Sequence, residues 1–188
     1  MNKKYWEQVE IGDAINPVAH SPISRLQIAQ FAAASDDFSP LNLDDELAKN
    51  AGFGGVYAPG LMAFGFVDEA LRAFASNMRV LSLSGTFQRL IWPGDKLTAK
   101  GMLLRRYQKN DEHRINFSLW CENQNQEVVM KGSSICLLFK NAEAEARSKT
   151  PLPQISITSH ENLLKKCDAL HSHSIKASEK KGGQKELV

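Results

Sequence analysis

Apolar residues recur with two different periods along the chain, and these periods predict the order of its elements. In residues 60–77 the large apolar side chains return every three or four positions, as on one face of a helix. Most other positions of this segment are also apolar, which predicts a long helix surrounded by protein on nearly all sides. Later segments have the alternating or continuous apolar pattern that is typical of strands, at residues 84–92, 96–107, 114–122 and 127–139.

Capping signals predict two short helices ahead of the long one. Ser24, followed three residues later by Gln27, is the pattern of a capping box. Asp44 is placed to cap a second helix that ends at Asn50, with Gly52 as its stop. Short turns separate the later strands, so the whole pattern predicts an antiparallel sheet with one buried helix on its face, an α+β architecture.

The composition divides the chain into a body and a tail. The sequence has 188 residues and is 43% hydrophobic, which suffices for one domain with a core of its own. After residue 142 large apolar residues become scarce, and the end of the chain is polar and rich in lysine. We therefore expect one domain over residues 1–142 and a polar, partly disordered tail over 143–188, with one short helix near residues 163–170.

Charge and cysteine content narrow the classes of function. The net charge of +2 is ordinary, so the sequence does not indicate a nucleic-acid partner. The N-terminus lacks an apolar signal segment and no apolar stretch is long enough to span a bilayer, which favours a cytoplasmic protein that does not bind membranes. Cys121, Cys136 and Cys167 are far apart and form no pattern typical of zinc ligands. We interpret them as reduced thiols and expect no metal or redox cofactor.

Four short motifs follow one another in a recognisable order within residues 5–139. They are V-E-I-G-D near the N-terminus, then A-S-D-D-F-S-P-L-N, then A-G-F-G-G-V-Y-A-P-G-L-M, and finally F-Q-R-L-I-W-P-G-D. Each motif alone is weak evidence, but the four in order resemble the MaoC-like dehydratase family, which includes the (R)-specific enoyl-CoA hydratases. The resemblance implies the hotdog fold, in which an antiparallel sheet wraps a long central helix, and a role in the thioester chemistry of fatty acid metabolism.

The resemblance also implies which residues form the active site. The family's catalytic aspartate falls on Asp37, and the glycine whose backbone N–H holds the thioester oxygen falls on Gly60. The family's catalytic histidine, five residues after the aspartate, falls on Asn42, and the histidine before the glycine falls on Pro59. The same register predicts substrate contacts along an acyl-thioester channel at Phe38, Pro40, Gly54, Gly55 and Pro59.

The replacement of histidine by Asn42 leaves the chemistry open. An asparagine side chain accepts and donates hydrogen bonds but takes no proton near pH 7, whereas a general base contributes about 10²–10⁴-fold in rate. In one interpretation Asp37 is the base and Asn42 positions the water. In another, Asp36 and Asp37 are solvated carboxylates at a helix end, and Asn42 marks an altered site or a turn.

Three functions are consistent with these residues. The first is a hydratase or dehydratase, a lyase that acts on 2-enoyl or 3-hydroxyacyl thioesters of CoA or of acyl carrier protein, with Asp37, Asn42 and Gly60 as its catalytic residues. The second is a non-catalytic hotdog subunit that binds an acyl thioester or stabilises a catalytic partner, and the third is an acyl thioesterase. Because a lone sheet exposes an edge, we expect a homodimer, or a heterodimer with another hotdog subunit.

Overall fold

A single antiparallel sheet of five strands organises the protein. The structure is a computed structural model that describes residues 2–148. The strand order in the sheet is β1-β3-β4-β5-β2, so that β1 and β2 are the two edges. Every neighbouring pair is antiparallel, and β3, β4 and β5 form a meander through the centre. The strands are β1 (Ala14–Ala19), β2 (Arg79–Phe87), β3 (Thr98–Lys109), β4 (Glu112–Glu122) and β5 (Val128–Leu138).

The helices lie mostly ahead of the long strands in the chain. A short 3-10 turn at Trp6–Gln8 precedes β1, and the longest helix leads into β2. The α-helices are α1 (Arg25–Ser35), α2 (Pro40–Leu43), α3 (Asp45–Asn50), α4 (Gly60–Phe74) and α5 (Ala142–Arg147). The predicted α+β hotdog arrangement is confirmed, while α2 is an element that the sequence pattern did not predict.

Both predicted capping signals are confirmed. The Ser24 hydroxyl accepts a 3.1 Å hydrogen bond from the Gln27 N–H, and the Gln27 side chain accepts one of 2.8 Å from the Ser24 N–H. At the start of α3, one carboxylate oxygen of Asp44 accepts hydrogen bonds from the backbone N–H groups of Glu46 and Leu47. These bonds satisfy donors that a helix start leaves free, which is why each helix begins where it does.

The long helix α4 packs across the sheet but is not enclosed on all sides. Val67, Leu71 and Phe74 lie in the core, and the ring of Phe74 meets that of Phe117 on β4 edge to face at 4.9 Å. Leu61, in contrast, is 54% exposed. The prediction of a helix surrounded on nearly all sides is therefore wrong for one face, because the sheet of one chain covers only the opposite face.

The strand boundaries differ most at β2. The pattern predicted a strand over residues 84–92, whereas β2 begins at Arg79, whose ladder partner on β5 is Leu137. The ladder ends at Phe87. Beyond it, the N–H groups of Gln88 and Arg89 still donate to the Val129 carbonyl of β5, and Ala58 and Ile91 form an isolated bridge. This bridge is tertiary, since it pairs the segment before α4 with the segment after β2, and it explains why residues 88–92 look like strand in the sequence.

Two of the three cysteines lie within the core. Cys121 on β4 and Cys136 on β5 are free and buried. Burial raises the pKa of the Cys121 thiol to about 12 and that of Cys136 to about 11, because a thiolate is poorly solvated in the core. Both are therefore thiols at neutral pH, in agreement with their interpretation as reduced thiols.

The compact unit that contains the sheet extends to Arg147. Its C-terminal helix α5 is tied to the N-terminus, since the hydroxyl of Tyr5 donates a 2.8 Å hydrogen bond to Glu145 and Lys3 pairs with the same carboxylate at 3.0 Å. The helix predicted near residues 163–170, the disordered end and Cys167 lie outside the described residues, so the division after residue 142 stays a prediction. Within residues 2–148, no helix has the length and apolar character needed to cross a membrane.

Candidate active site

The segment that carries the predicted catalytic aspartate is the exit of α1. Asp36 adopts the left-handed backbone conformation, with φ of 54°, which terminates the helix. The N–H of Asp37 then donates a 3.1 Å hydrogen bond back to the Ala32 carbonyl. The Asp37 carboxylate is exposed, and within residues 2–148 it makes no hydrogen bond or ion pair. Its geometry leaves it free to bind water or another molecule.

Asn42 is held inside the protein by a backbone contact. It lies on the short helix α2, which begins at Pro40, and only 7% of Asn42 is exposed. Its side-chain amide donates a 2.6 Å hydrogen bond to the carbonyl of Tyr57. This bond joins α2 to the segment that leads into α4, so Asn42 connects two parts of the predicted site. Its amide nitrogen is committed to this bond, and the side chain has no basic group.

The glycine-rich loop before α4 is organised by the carboxylate of Asp45, at the start of α3. One oxygen of Asp45 accepts a 3.0 Å hydrogen bond from the N–H of Val56, and the other pairs with Arg25. The hydrogen bond from the Val56 N–H, and to a lesser extent that from Arg25, holds the pKa of the Asp45 carboxyl below its usual range. A Cβ at Gly55, where φ is 149°, would lie 3.0 Å from the same Asp45 oxygen, so this loop requires glycine there.

The start of α4 presents backbone donors. Pro59 precedes the helix and Gly60 is its first residue. The N–H of Met62 bonds to the Pro59 carbonyl at 3.0 Å, whereas among residues 2–148 the N–H groups of Gly60 and Leu61 have no acceptor. These two donors and the positive end of the helix dipole favour a partly negative oxygen at this position. An apolar ring also lies here: a Cβ built at Gly60 would meet Phe87 at 2.8 Å.

A cluster of aromatic rings lies over the glycine-rich loop. Gly54 lies beneath the Trp92 ring, since a Cβ there would be 3.7 Å from it. The Tyr57 ring lies between those of Phe53 and Trp92, with centroid distances of 4.9 and 6.3 Å. The buried carboxylate of Asp95 fixes Trp92 by accepting a 2.7 Å hydrogen bond from its backbone N–H. The turn at residues 93–95, one of the short turns predicted between strands, therefore positions the Trp92 ring over the glycine-rich loop.

The structure links some of the predicted site residues directly and leaves others at the surface. Asn42 is joined through Tyr57 to the segment that contains Pro59 and opens α4 at Gly60. Phe38 is 59% exposed and Pro40 is exposed as well, so both lie on the surface of the turn after α1. Their roles, like those of the other site residues, stay predictions. The residues that sequence reasoning missed are Asp45, Tyr57, Phe87, Trp92 and Asp95, and all of them except Asp45 lie within the quoted motifs.

Acidic, histidine and cysteine side chains do not gather into a metal-binding group in the part of the chain that the structure describes, where no three of them lie together in a suitable arrangement. At the start of α4 the available hydrogen-bond donors are instead the backbone N–H groups of Gly60 and Leu61. This donor set suits a neutral or anionic oxygen of an organic ligand.

An antiparallel sheet of five strands packed on one long helix defines the class of hotdog proteins. The family model of the MaoC-like domain matches residues 7–121, and the chain belongs to this family of MaoC-like dehydratases. The match includes every predicted site residue from Asp37 to Gly60.

Known proteins of this kind resemble the chain over most of its folded part. The 3-hydroxyacyl-[acyl-carrier-protein] dehydratase, mitochondrial, of Arabidopsis thaliana is 24% identical over 131 residues, which are 69% of this chain and 78% of the relative. The structure of the (R)-hydratase from A. caviae involved in PHA biosynthesis aligns with a TM-score of 0.62 and 21% identity, over 70% of this chain and 98% of that one. The truncated HadBC (3R-hydroxyacyl-ACP dehydratase) complex from Mycobacterium tuberculosis aligns with a TM-score of 0.60 and 18% identity, over 70% and 98% of the two chains. At these identities the two structures establish the fold.

Proposed function

We propose that this protein binds 2-enoyl or 3-hydroxyacyl thioesters of CoA or acyl carrier protein and interconverts them by adding or removing water. The observation that carries the proposal is the start of α4, where two unpaired backbone N–H groups stand beside the loop that Asn42 holds in place. The names of the relatives support the substrate class, since they are a 3-hydroxyacyl-carrier-protein dehydratase and an (R)-hydratase. No cofactor is needed for this reaction.

The start of α4 would hold the thioester oxygen. In hydration, the water oxygen bonds to C3 while the C2=C3 electron pair shifts toward the thioester, and negative charge builds on its oxygen. The Gly60 N–H and the helix dipole would stabilise that charge, and such a donor is worth about 10²–10³-fold in rate. Pro59 before the helix contributes no N–H of its own, so the donors begin at Gly60.

Asp37 would accept the proton from the attacking water, and the protonated Asp37 would then return that proton to C2. The carboxylate is the acid–base group of the predicted site and has no competing protein partner among residues 2–148. Asn42 would contribute by holding the Tyr57 carbonyl and the loop in place, and its side-chain oxygen is an acceptor for water. Dehydration follows the same steps in reverse.

A second candidate is a non-catalytic subunit of a larger hotdog assembly. The specific observation in its favour is that Asn42, at the position where the motif register expects a histidine, bonds to backbone and has no basic group. The edge strand β2 has an exposed end at residues 84–87, and pairing of such an edge would bury it in a homodimer or heterodimer. The HadBC and ChsH1-ChsH2 complexes are hotdog assemblies of two different chains. A cytoplasmic location remains a prediction, since the Arabidopsis relative is named mitochondrial.

Hydration of crotonyl-CoA, followed by loss of the enoyl absorbance, tests the two candidates. We expect the wild-type protein to be active and Asp37→Asn to lose about 10²-fold or more, because an amide accepts no proton. Asp36→Asn is the matched control: it removes the adjacent exposed carboxylate and should retain activity, since asparagine also tolerates the left-handed conformation of this position.

The variant Asn42→His separates the candidates further. An inactive wild type that gains activity on Asn42→His would indicate a binding scaffold whose base has been lost. Inactivity of the wild type, Asn42→His and Asp37→Asn alike would contradict the enzyme proposal and favour the subunit. Equal loss in Asp36→Asn and Asp37→Asn would contradict the role given to Asp37.

A further inference from the structure

Phe87 occupies the space that a side chain at Gly60 would fill. A Cβ built on Gly60 would lie 2.8 Å from two atoms of the Phe87 ring and 3.0 Å from a third. The two closest atoms include Cγ, the ring atom nearest the backbone, so the contact involves the anchored part of the side chain. Phe87 is the last residue of β2, paired with Met130 on β5, which fixes the origin of its side chain.

The Phe87 ring lies at the end of α4 where the backbone N–H groups are free to bind a ligand. In an α-helix the Cα–Cβ bond is tilted toward the N-terminus, which is also the direction in which the first N–H groups point. The ring that replaces the missing Cβ of Gly60 therefore stands at the same end of α4 as its unpaired donors. The absence of a side chain at Gly60 does not leave an open space, because Phe87 fills it.

We infer that Phe87 is a specificity-determining residue of the thioester site, and that its ring limits the bulk that the acyl group carries at C2. The inference rests on the proposed function. A thioester oxygen that accepts a hydrogen bond from the Gly60 N–H lies about 2.9 Å from that nitrogen, and C2 is only two bonds from that oxygen. A methyl branch on C2 would then compete with the Phe87 ring for the same space, whereas a straight chain would extend past it.

The exposure of Phe87 indicates that its outer face is available to a ligand. The side chain is 46% exposed, so one face of the ring is covered by Gly60 and much of the other is not. A straight acyl chain would pack on this apolar surface, whereas the methyl branch of a branched chain would collide with the ring. Both effects favour the straight chain, and both depend on the same ring.

Binding of two isomeric thioesters tests the inference without requiring turnover. Butyryl-CoA and isobutyryl-CoA have the same composition and differ only in the branch at C2, and neither is a substrate for hydration. By titration calorimetry we expect the wild type to bind butyryl-CoA about tenfold more tightly, the scale of one misplaced methyl group in an apolar pocket. Phe87→Ala should reduce this preference to within about twofold, and Phe87→Leu should give an intermediate ratio.

Leu104→Ala is the matched control. Leu104 is a large apolar residue on β3 and is 54% exposed. Its replacement by alanine should leave the ratio of the two affinities unchanged. An unchanged ratio in Phe87→Ala, or equal affinities in the wild type, would overturn the inference. If Phe87→Ala fails to fold, as judged by far-ultraviolet circular dichroism, the ratio in Phe87→Leu decides by the same criterion.

The outcome separates this inference from the proposed function. Selective binding together with an absence of hydration would contradict the proposed reaction and support the role of Phe87. An absence of binding of both isomers to the wild type would overturn the thioester site and the inference with it. Hydration of crotonyl-CoA with unselective binding in the wild type would leave the proposed reaction standing and overturn the inference alone.

A double substitution checks the contact itself. Gly60→Ala should lower the Tm by about 5 °C, because the new methyl group collides with the Phe87 ring. In a Phe87→Ala background the same change should have almost no effect on the Tm, since the colliding ring is gone. An equal loss in both backgrounds would show that Phe87 does not fill the space beside Gly60 and would overturn the inference.

Discussion

The side-chain amide of Asn42 donates a 2.6 Å hydrogen bond to the backbone carbonyl of Tyr57. The two residues lie on different segments, α2 and the loop before α4, and Asn42 is almost fully buried. The bond satisfies a carbonyl near the start of α4 and holds α2 against the loop before α4. This structural role does not depend on any catalytic role of the site. The buried Asn42 side chain therefore acts as a tie between these two segments.

Removing this tie should destabilise the protein. We expect Asn42→Ala to lower the free energy of unfolding by about 1–3 kcal/mol, because the Tyr57 carbonyl loses its partner in a buried place. Urea unfolding measures the loss. The control is Asn50→Ala at the exposed end of α3, which should change stability by less than about 0.5 kcal/mol. Similar losses for the two variants would contradict the role assigned to Asn42.

Asn42→Asp gives the same contact a pH dependence. An ionised carboxylate cannot donate to the Tyr57 carbonyl and repels it, while the protonated acid can donate. The contact therefore favours the protonated form, and its stabilising contribution is present at low pH and is lost as the pH rises. We expect the stability of Asn42→Asp relative to the wild type to fall between pH 4 and pH 7. A Tm difference between Asn42→Asp and the wild type that stays constant over this range would contradict the contact between residue 42 and the Tyr57 carbonyl.

Asp95 should matter more for stability than its place in a surface turn suggests. It is 7% exposed, and its carboxylate accepts hydrogen bonds from the Trp92 N–H at 2.7 Å and from the Gln124 side chain at 3.0 Å. We expect Asp95→Ala to lower the free energy of unfolding by about 3 kcal/mol, because hydrogen bonds to a charged group are strong and both donors lose their partner.

Asn125→Ala, in the neighbouring turn, is the comparison for Asp95→Ala. The Asn125 side chain is exposed, so its removal should cost less than about 0.5 kcal/mol in the same urea titration. A cost below 1 kcal/mol for Asp95→Ala would mean that the carboxylate does not organise the turn that carries Trp92.

Asp45 should make stability depend on acid pH. The Val56 N–H and Arg25 lower its folded-state pKa from an ordinary value of 3.8, so the ionised form stabilises the fold. That contribution is fully present above pH 3.8 and is lost as the pH falls through the lowered folded-state pKa. We expect the Tm difference between wild type and Asp45→Asn to be constant from pH 7 to pH 5 and to shrink toward pH 3.

Glu46→Gln is the matched control for Asp45→Asn. It removes an exposed carboxylate on the same turn of α3 whose side chain makes no hydrogen bond or ion pair within residues 2–148. Its Tm should follow that of the wild type at every pH. The assigned role of Asp45 fails if Asp45→Asn also follows the wild type at pH 7.

Two glycines should respond in opposite directions to the same substitution. A Cβ at Gly132 on β5 would lie 2.5 Å from the Ser84 carbonyl of β2, so Gly132→Ala should cost about 1–3 kcal/mol or disrupt the β2–β5 pairing. A Cβ at Gly65 in α4 would meet nothing within 4 Å, and Gly65→Ala should stabilise by up to about 1 kcal/mol through helix propensity. Thermal unfolding measures both, and a loss of stability for Gly65→Ala would indicate a partner that covers this face of α4.

The sequence by itself determined the elements whose causes are local. The Ser24–Gln27 capping box and the Asp44 cap involve residues within three positions of each other, so the sequence displays both partners. The period of residues 60–77 likewise depends on one helix, and it predicted α4 with a correct start at Gly60. The order of the motifs was enough to identify the family, because each motif retains its own turn or cap.

Tertiary structure decided what distant segments do to one another. Neither Phe87 beside Gly60 nor Asn42 beneath the Tyr57 carbonyl follows from spacing along the chain, since each pair is brought together only by the packing of α2, α4 and β2. The extent of β2 was also tertiary, because it follows the ladder with β5, from Arg79 opposite Leu137 to Phe87 opposite Met130, and not the local apolar pattern. Close approach in a packed interior depends on the summed shape of many side chains, and no local pattern contains that information.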